Sequence, residues 1–196
     1  MAEQVLSKFQ KLYPDSLPAG SPYLNAPTRV SQGVTNGSDP YFTKPAHNQY
    51  KRLSSLFGDV FFVANRRLLL QSKRPTTPAW AYIVRQFDLK RPAEKGVAHG
   101  DDLAYLFGNQ GSPAYDSPAL YEPLAKTMRR AWASFIVDLD PRTADRLHWP
   151  AYNASSTTGK VLFQFKGLNN TVVPDTFRAQ QLSYFISSDA AAVLSS

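Results

Sequence analysis

Three histidines and one pair of neighbouring aspartates are the candidates for acid–base chemistry in this sequence. His47 lies among prolines in a predicted loop, and we interpret it as a surface residue. His148 precedes Trp149 and Pro150, and we expect a packing or hydrogen-bonding role for it. His99 differs because it lies in a glycine-flanked segment, residues 96–100 (GVAHG). Glycine lets the backbone turn sharply and lets a ligand or another segment come close. His99 is therefore the candidate general base, with an ordinary loop histidine as the alternative.

Asp101 and Asp102 follow this histidine directly. Paired carboxylates can serve acid–base or metal chemistry, but at a helix start they also complement the macrodipole. No His-x-x-x-His pair or acidic cluster supplies further ligands, and the sequence contains no cysteine. We therefore interpret the two aspartates as helix-start residues and expect neither a metal nor a cofactor.

A nucleophile for the histidine is missing from the sequence. None of the ten glycines has a serine two positions later, so there is no G-x-S-x-G elbow to expose a serine on a strained strand-to-helix turn. No G-x-G-x-x-G motif or P-loop is present to hold phosphates. With no cysteine, thiol catalysis is excluded as well.

The elements that would position His99 include both helices and strands. Periodicity predicts helices over 2–13, 48–72, 119–138 and near 175–185, with a short helix from about Asp101 to Gly108. Aromatic and branched runs predict strands over 80–87 and 161–165. Residues 14–45 contain six prolines and three glycines and should form a loop. No internal repeat or boundary indicates a second domain.

The two long predicted helices each carry an apolar face that should lie on the core. In the helix over 48–72 that face consists of Tyr50, Leu53, Phe57, Val60, Ala64 and Leu68. In the helix over 119–138 it consists of Leu120, Leu124, Met128, Ala131, Trp132 and Phe135. The charged Asp59, Arg66 and Arg67 lie off the first face, and we expect structural roles for them.

Composition and charge narrow the function classes. A chain of 196 residues with 43% hydrophobic residues can bury a sizeable core, and no apolar run is long enough for a membrane span. We expect no secretory signal in the N-terminal segment MAEQVLSKFQ. Residues 44–95 hold 11 basic and three acidic side chains, a net +8 within a total of +7. That charge raises the hypothesis of nucleic-acid binding, but no RNA-binding signature or zinc-finger spacing accompanies it, so we expect no nucleic-acid partner.

Several short segments occur together in one order between Val5 and Ser188. They are Tyr13-Pro14, Gly20-Ser21-Pro22, Gln49-Tyr50-Lys51-Arg52, Gly58-Asp59-Val60-Phe61, Arg66-Arg67, the run from Gly96 to Leu103, Trp132 with Phe135, Asp138-Leu139-Asp140-Pro141 and Trp149-Pro150-Ala151-Tyr152. In these segments the chain resembles the type-B carboxylesterase and lipase family of α/β-hydrolases, which includes the cholinesterases. It is most similar to the secreted fungal lipase branch.

The resemblance implies a serine–acid–histidine triad whose histidine lies in an H-G-x-[DE]-L element, here at His99. In this family the serine elbow, the oxyanion glycines and the triad acid precede that element by a long stretch of chain. We therefore expect residues 1–196 to be the C-terminal segment of an α/β-hydrolase domain, with late sheet strands and flanking helices. Such a segment would be incomplete as a stand-alone domain, would lack its N-terminal part as a partner, and would be inactive alone.

Two functions remain open at this point. The first is carboxylic-ester hydrolysis by the intact protein, on an ester or lipid substrate, with His99 as base. The alternative, motivated by the missing serine elbow, is a non-catalytic pseudo-hydrolase or binding protein of the same fold. Asn36, Asn153 and Asn169 lie in N-glycosylation acceptor patterns in predicted loops, which together with the resemblance indicates a secreted, glycosylated parent protein.

Overall fold

A computed structural model describes residues 2–14, 50–72, 76–86, 97–108, 118–143 and 146–187. These residues belong to two compact units, one formed by Met1–Arg74 with Thr176–Ser196 and the other by Pro75–Asp175. The predicted loop over 15–45 and His47 lie outside the described residues. Within the described ranges, no helix combines the length and the apolar character that crossing a membrane requires.

The part of the chain that the structure describes contains both helices and strands. In chain order they are α1 (Ala2–Leu12), α2 (Tyr50–Gly58), a π-helical segment (Asp59–Val63), α3 (Ala64–Ser72), β1 (Tyr82–Val84), α4 (Asp101–Phe107), α5 (Pro118–Asp138), β2 (Val161–Phe165), β3 (Thr171–Pro174) and α6 (Ala179–Ile186). The predicted α/β class is confirmed. The predicted helices are present, β2 has its predicted bounds, and β1 is shorter than the predicted 80–87.

The first unit packs α1 and α6 against the π-helical segment and α3. Its core holds Leu12, Tyr13, Ala64, Leu182 and Phe185, all less than one-tenth exposed. The aromatic rings of α1 and α6 contact one another directly, with Phe9 stacked on Phe185 at 5.6 Å between centroids. On α1, Phe9 and Leu12 thus face this core, whereas Leu6 is 58% exposed.

The predicted core face of the helix over 48–72 is partly wrong. Val60 and Ala64 do lie in the core, but Leu53, Phe57 and Leu68 are about half exposed, at 48%, 54% and 47%. The side chains that this helix buries are Ser55, Asp59, Ala64, Arg67 and Leu70. For Leu68 the physical reason is the π-helical segment, since a wider turn rotates the residues that follow it relative to a continuous α-helix. Leu53 and Phe57 precede that segment, and there the buried face runs through Ser55 and Asp59, four residues apart.

A buried polar network replaces the missing apolar contacts on that face. Asp59 forms an ion pair with Arg178 at 2.9 Å, and both side chains are less than one-tenth exposed. Tyr13 donates its hydroxyl proton to the same Asp59 oxygen at 2.7 Å. Arg67 donates to the carbonyl of Phe177 at 2.8 Å. These contacts join α1, the π-helical segment, α3 and the start of α6.

The second unit contains a three-stranded sheet in the order β1–β2–β3. β1 and β2 are parallel, with Tyr82 opposite Phe163, whereas β2 and β3 are antiparallel, with Leu162 opposite Val173. Helices α4 and α5 lie in the chain between the two parallel strands, as a crossover connection requires. The sequence analysis does not predict β3, a strand of only four residues that ends in Pro174 and forms an edge of the sheet.

Helix α5 packs on this sheet through a narrower face than predicted. Leu124, Met128 and Ala131 are buried with Phe163 and Phe165 of β2, as expected. Trp132 and Phe135 are 41% and 44% exposed, because they lie at the margin of the core. There Trp132 contacts the ring of Tyr82, and Phe135 contacts the ring of Trp80. The side chain of Leu120 lies outside the described residues.

Candidate functional site

His99 lies in a tight turn immediately before α4. Its side chain is exposed, and so is that of Ala98, whereas Val97 and Gly100 are half-buried. Gly100 has φ +84°, in the left-handed region that glycine adopts without steric cost. The glycine after the histidine is therefore required by the backbone, and it turns the chain from His99 into the helix.

Hydrogen bonds between the turn and the helix fix the backbone on both sides of His99. The Asp101 carboxylate accepts the N–H of Ala98 at 2.7 Å, and the Asp101 N–H donates to the carbonyl of Ala98 at 3.2 Å. The N–H of Leu103 donates to the carbonyl of Gly100 at 3.1 Å. Because three of these groups belong to the first turn of α4, the position of His99 follows that of the helix.

The second aspartate makes a different contact. Asp102 Oδ2 accepts the hydroxyl proton of Tyr82, at 3.0 Å, and so joins the start of α4 to strand β1. Burial raises the pKa of Tyr82 well above the ordinary tyrosine value, and the neighbouring Asp102 charge raises it further. Tyr82 therefore stays protonated and acts as a donor. Both aspartates lie in the first turn of α4, as predicted, and each also holds a contact outside the helix.

Helix α4 is anchored at its far side by α5. Tyr105 of α4 stacks on Tyr121 of α5 with ring centroids 5.0 Å apart, and both rings are buried. The Tyr121 hydroxyl donates to the carbonyl of Ala104. The helix ends at Gly108, which has φ +71° and returns its N–H to the same carbonyl. Contacts at both ends thus hold the short helix that carries the His99 turn.

The other predicted candidates do not join this site. His148 is exposed between Leu147 and Trp149, so the predicted packing role is wrong, and the predicted hydrogen-bonding role stays a prediction. Asp59 and Arg67 serve the packing of the first unit, as described above. Across the residues that the structure describes, no three His, Cys, Asp or Glu side chains group as a metal site would need.

Sequence reasoning missed Tyr82 as part of the site. It placed this residue inside a predicted strand without giving it a role, because a tyrosine in an aromatic strand is typical of core packing. The available signal was weak: a hydroxyl-bearing ring in β1 and an aspartate at the first turn of the helix after the His99 loop. Only the tertiary structure shows that they meet.

The pattern of the carboxylesterase family matches residues 18–184 of this chain. The chain therefore belongs to the carboxylesterase family, and the resemblance drawn from its motifs is confirmed.

Several fungal relatives align over most of this chain. Secreted lipase 1 of Botryotinia fuckeliana is 28% identical over 178 residues, which is 83% of this chain and 28% of the relative. Lipase 2 of Diutina rugosa is 30% identical over 179 residues, 89% of this chain and 27% of the relative. Lipase 1 of Geotrichum candidum is 27% identical over 181 residues, 92% of this chain and 27% of the relative. The chain thus spans a little over a quarter of the length of these relatives.

A solved structure has the same fold over nearly the whole chain. EstA of Aspergillus niger superposes with a TM-score of 0.56 and 18% identity, covering 93% of this chain and 32% of that one. The small mixed sheet with flanking helices is accordingly a partial α/β-hydrolase fold, which confirms the predicted fold class.

Proposed function

We propose that this chain forms part of a carboxylic-ester hydrolase of the esterase and lipase type, with His99 as its general base. The observation that carries the proposal is the placement of His99. Its exposed side chain lies on a hydrogen-bonded turn that follows a sheet strand and precedes α4, in a chain of the carboxylesterase family. The relatives named as lipases support an ester substrate.

The role of His99 in this proposal is proton transfer. A serine hydroxyl attacks the ester carbonyl while the imidazole takes its proton, and the imidazolium then protonates the leaving alcohol. An acid residue orients the ring, and backbone N–H groups stabilise the oxyanion. An exposed imidazole on a fixed turn is suited to this role, because it can meet a nucleophile supplied by another segment without moving its own backbone.

The serine and the acid belong to another part of the hydrolase domain in this proposal. The 196 residues contain no G-x-S-x-G, and the chain spans only 28% and 27% of the lipases from Botryotinia fuckeliana and Diutina rugosa. Residues 1–196 would then form the C-terminal segment of one domain, whose ester or lipid substrate binds in the complete protein. The chain alone would hydrolyse no ester, since a histidine without nucleophile and oxyanion hole cannot form an acyl-enzyme.

The direct test uses the native polypeptide, captured from its source with an antibody raised against this chain. We expect it to react with a fluorophosphonate serine probe, to have a mass well above 21.8 kDa and to hydrolyse a p-nitrophenyl ester. A polypeptide that neither reacts with the probe nor releases p-nitrophenol would contradict the proposal. That outcome would favour the non-catalytic binding protein of the same fold.

Secretion and glycosylation form part of the same proposal. Relatives named as secreted support an extracellular parent. Of the three acceptor asparagines, Asn153 and Asn169 lie at exposed positions in irregular segments, where a glycan can be accommodated. We expect peptide N-glycosidase to lower the mass of the native protein and to convert these asparagines to aspartate. An unchanged mass, with both asparagines intact by peptide mapping, would contradict this part.

A further inference from the structure

We propose that the hydrogen bond between Tyr82 and Asp102 is a positioning contact for His99. It ties the strand before the His99 loop to the helix after it, and so fixes where the imidazole can reach. This inference rests on the proposed function, because it gives His99 a reaction to serve. Tyr82 and Asp102 are positioning residues in this proposal, and neither is assigned contact with substrate.

The first step of the argument is that His99 moves with α4. The Ala98 N–H is bonded to the Asp101 carboxylate at 2.7 Å, and the Leu103 N–H to the Gly100 carbonyl at 3.1 Å. The residues on both sides of His99 are therefore bonded into the first helical turn. A shift or rotation at the start of α4 displaces the imidazole by a similar distance.

The second step is that Tyr82 is a rigid anchor for that turn. Its ring makes edge contacts with Trp132, Trp149 and Phe165, at centroid distances of 6.4, 6.2 and 5.5 Å. Its backbone is paired with Phe163 in the parallel ladder of β1 and β2. A ring held on several sides has little freedom to follow a displaced helix, so the hydroxyl marks a fixed point in the unit.

The third step concerns how else the two elements are linked at this end. The stack of Tyr105 on Tyr121 anchors the helix to α5, on a different element from β1. The Tyr82–Asp102 bond is thus a side-chain contact that sets the first turn of α4 relative to the sheet.

The chain offers a matched control. Tyr152 donates its hydroxyl proton to Asp175 Oδ2 at 3.1 Å, within the same unit and buried. This second tyrosine–aspartate pair resembles the first in chemistry and distance, but its residues belong to the segment around β2 and β3. Tyr152→Phe therefore controls for the loss of a half-buried or buried tyrosine hydrogen bond in general.

Hydrogen exchange on the native full-length protein tests the ordering without reading out catalysis. We expect Tyr82→Phe to speed exchange in the peptide over residues 97–103 at least fivefold, whereas Tyr152→Phe leaves that peptide unchanged. Equal exchange in the two variants would overturn the proposal. Asp102→Ala and Asp102→Asn extend the test, because both remove the charge but only Asn keeps an acceptor oxygen. We expect fast exchange in the Asp102→Ala variant and near-native exchange in the Asp102→Asn variant. Because these variants test the same bond from the side of its acceptor, they also serve as the test if Tyr82→Phe fails to fold.

Kinetics of the native full-length protein test the consequence for the reaction. We expect Tyr82→Phe to lower kcat about tenfold with KM within about twofold, since a small misplacement of a catalytic group slows the chemical step. Tyr152→Phe should keep kcat within about twofold at a temperature where both variants are folded. A normal kcat despite fast exchange would overturn the positioning role. His99→Ala, assayed alongside, separates the two ideas: full activity there would refute the proposed function itself.

Discussion

The buried ion pair of the first unit offers the sharpest stability prediction. Asp59 and Arg178 have side chains only 4% and 7% exposed, with 2.9 Å between Asp59 Oδ2 and Arg178 Nη1. The same carboxylate oxygen accepts the Tyr13 hydroxyl at 2.7 Å. Asp59→Asn keeps an oxygen for one donor but removes the charge. The Arg178 guanidinium then remains buried beside a neutral amide.

The expected cost follows from this geometry. Breaking a buried pair by removing one partner typically costs about 3–5 kcal/mol, because the remaining charge has lost its compensation. The amide oxygen introduced by Asp59→Asn would retain a hydrogen bond, so we expect about 3 kcal/mol, the lower end of that range. Urea unfolding followed by far-UV circular dichroism measures it as a lower midpoint with an unchanged slope. Because the pair is buried, about 0.5 M NaCl should change the cost little.

An exposed pair provides the control. Asp140 binds Arg142 at 2.6 Å, but Arg142 is 45% exposed, and such surface pairs contribute at most about 1 kcal/mol. Asp140→Asn should therefore cost well under about 1 kcal/mol. The double variant Asp59→Asn with Arg178→Met should recover about 2 kcal/mol, because it removes the uncompensated cation. A cost below about 1 kcal/mol for Asp59→Asn, or no recovery in the double variant, would refute this reasoning.

Three further predictions follow from the packing, the His99 turn and the buried tyrosines. Leu70→Ala, at a position 6% exposed, should cost about 2–5 kcal/mol in urea unfolding, whereas Leu68→Ala, at 47%, should cost less than about 1 kcal/mol. A larger cost for Leu68→Ala than for Leu70→Ala would mean that the sequence-predicted face is the buried one. Gly100→Ala should lower the free energy of unfolding by about 1 kcal/mol, because φ at this position is +84°. Steric overlap adds nothing, since the new Cβ would lie an ordinary 3.8 Å from Leu103 Cδ1. An unchanged or higher free energy of unfolding would contradict the turn geometry. Burial raises the folded-state pKa of Tyr13 and of Tyr82 above the ordinary value near 10, so the unfolded chain loses those protons first as the pH rises. The free energy of unfolding should therefore fall above about pH 10, by about 1.4 kcal/mol per pH unit for each tyrosine. A Tyr13→Phe variant whose free energy of unfolding falls with pH as steeply as that of the native protein would contradict this.

The elements closest to the candidate site could be predicted from the sequence because local signals determine them. Helix α4 begins at paired aspartates and ends at Gly108, whose φ of +71° suits glycine. Strand β2 is a run of apolar and aromatic residues at strand length, and four of its five residues are buried. His99 was identified as a candidate by its flanking glycines, and Gly100 adopts the left-handed conformation that such a glycine permits.

The remaining features depend on tertiary contacts that no short window of sequence contains. A 3.6-residue period assumes a continuous α-helix, and the π-helical segment over Asp59–Val63 breaks that assumption. The burial of Asp59 depends on Arg178, far along the chain, and on the Tyr13 hydroxyl. Likewise Tyr82 and Asp102 meet only once β1 and α4 are packed in one unit. The assignment of residues 1–196 to a single hydrolase domain stays a prediction.

The measurement that tests the central claim most directly is ester hydrolysis by the native protein carrying His99→Ala, beside His148→Ala as control. His148 is also exposed and has no place in the proposed reaction. We expect His99→Ala to lower kcat at least about a thousandfold, because loss of a triad member removes the serine's general base, with the folded structure unchanged by circular dichroism. His148→Ala should retain kcat within about twofold. Near-native hydrolysis by the folded His99→Ala protein would contradict the account.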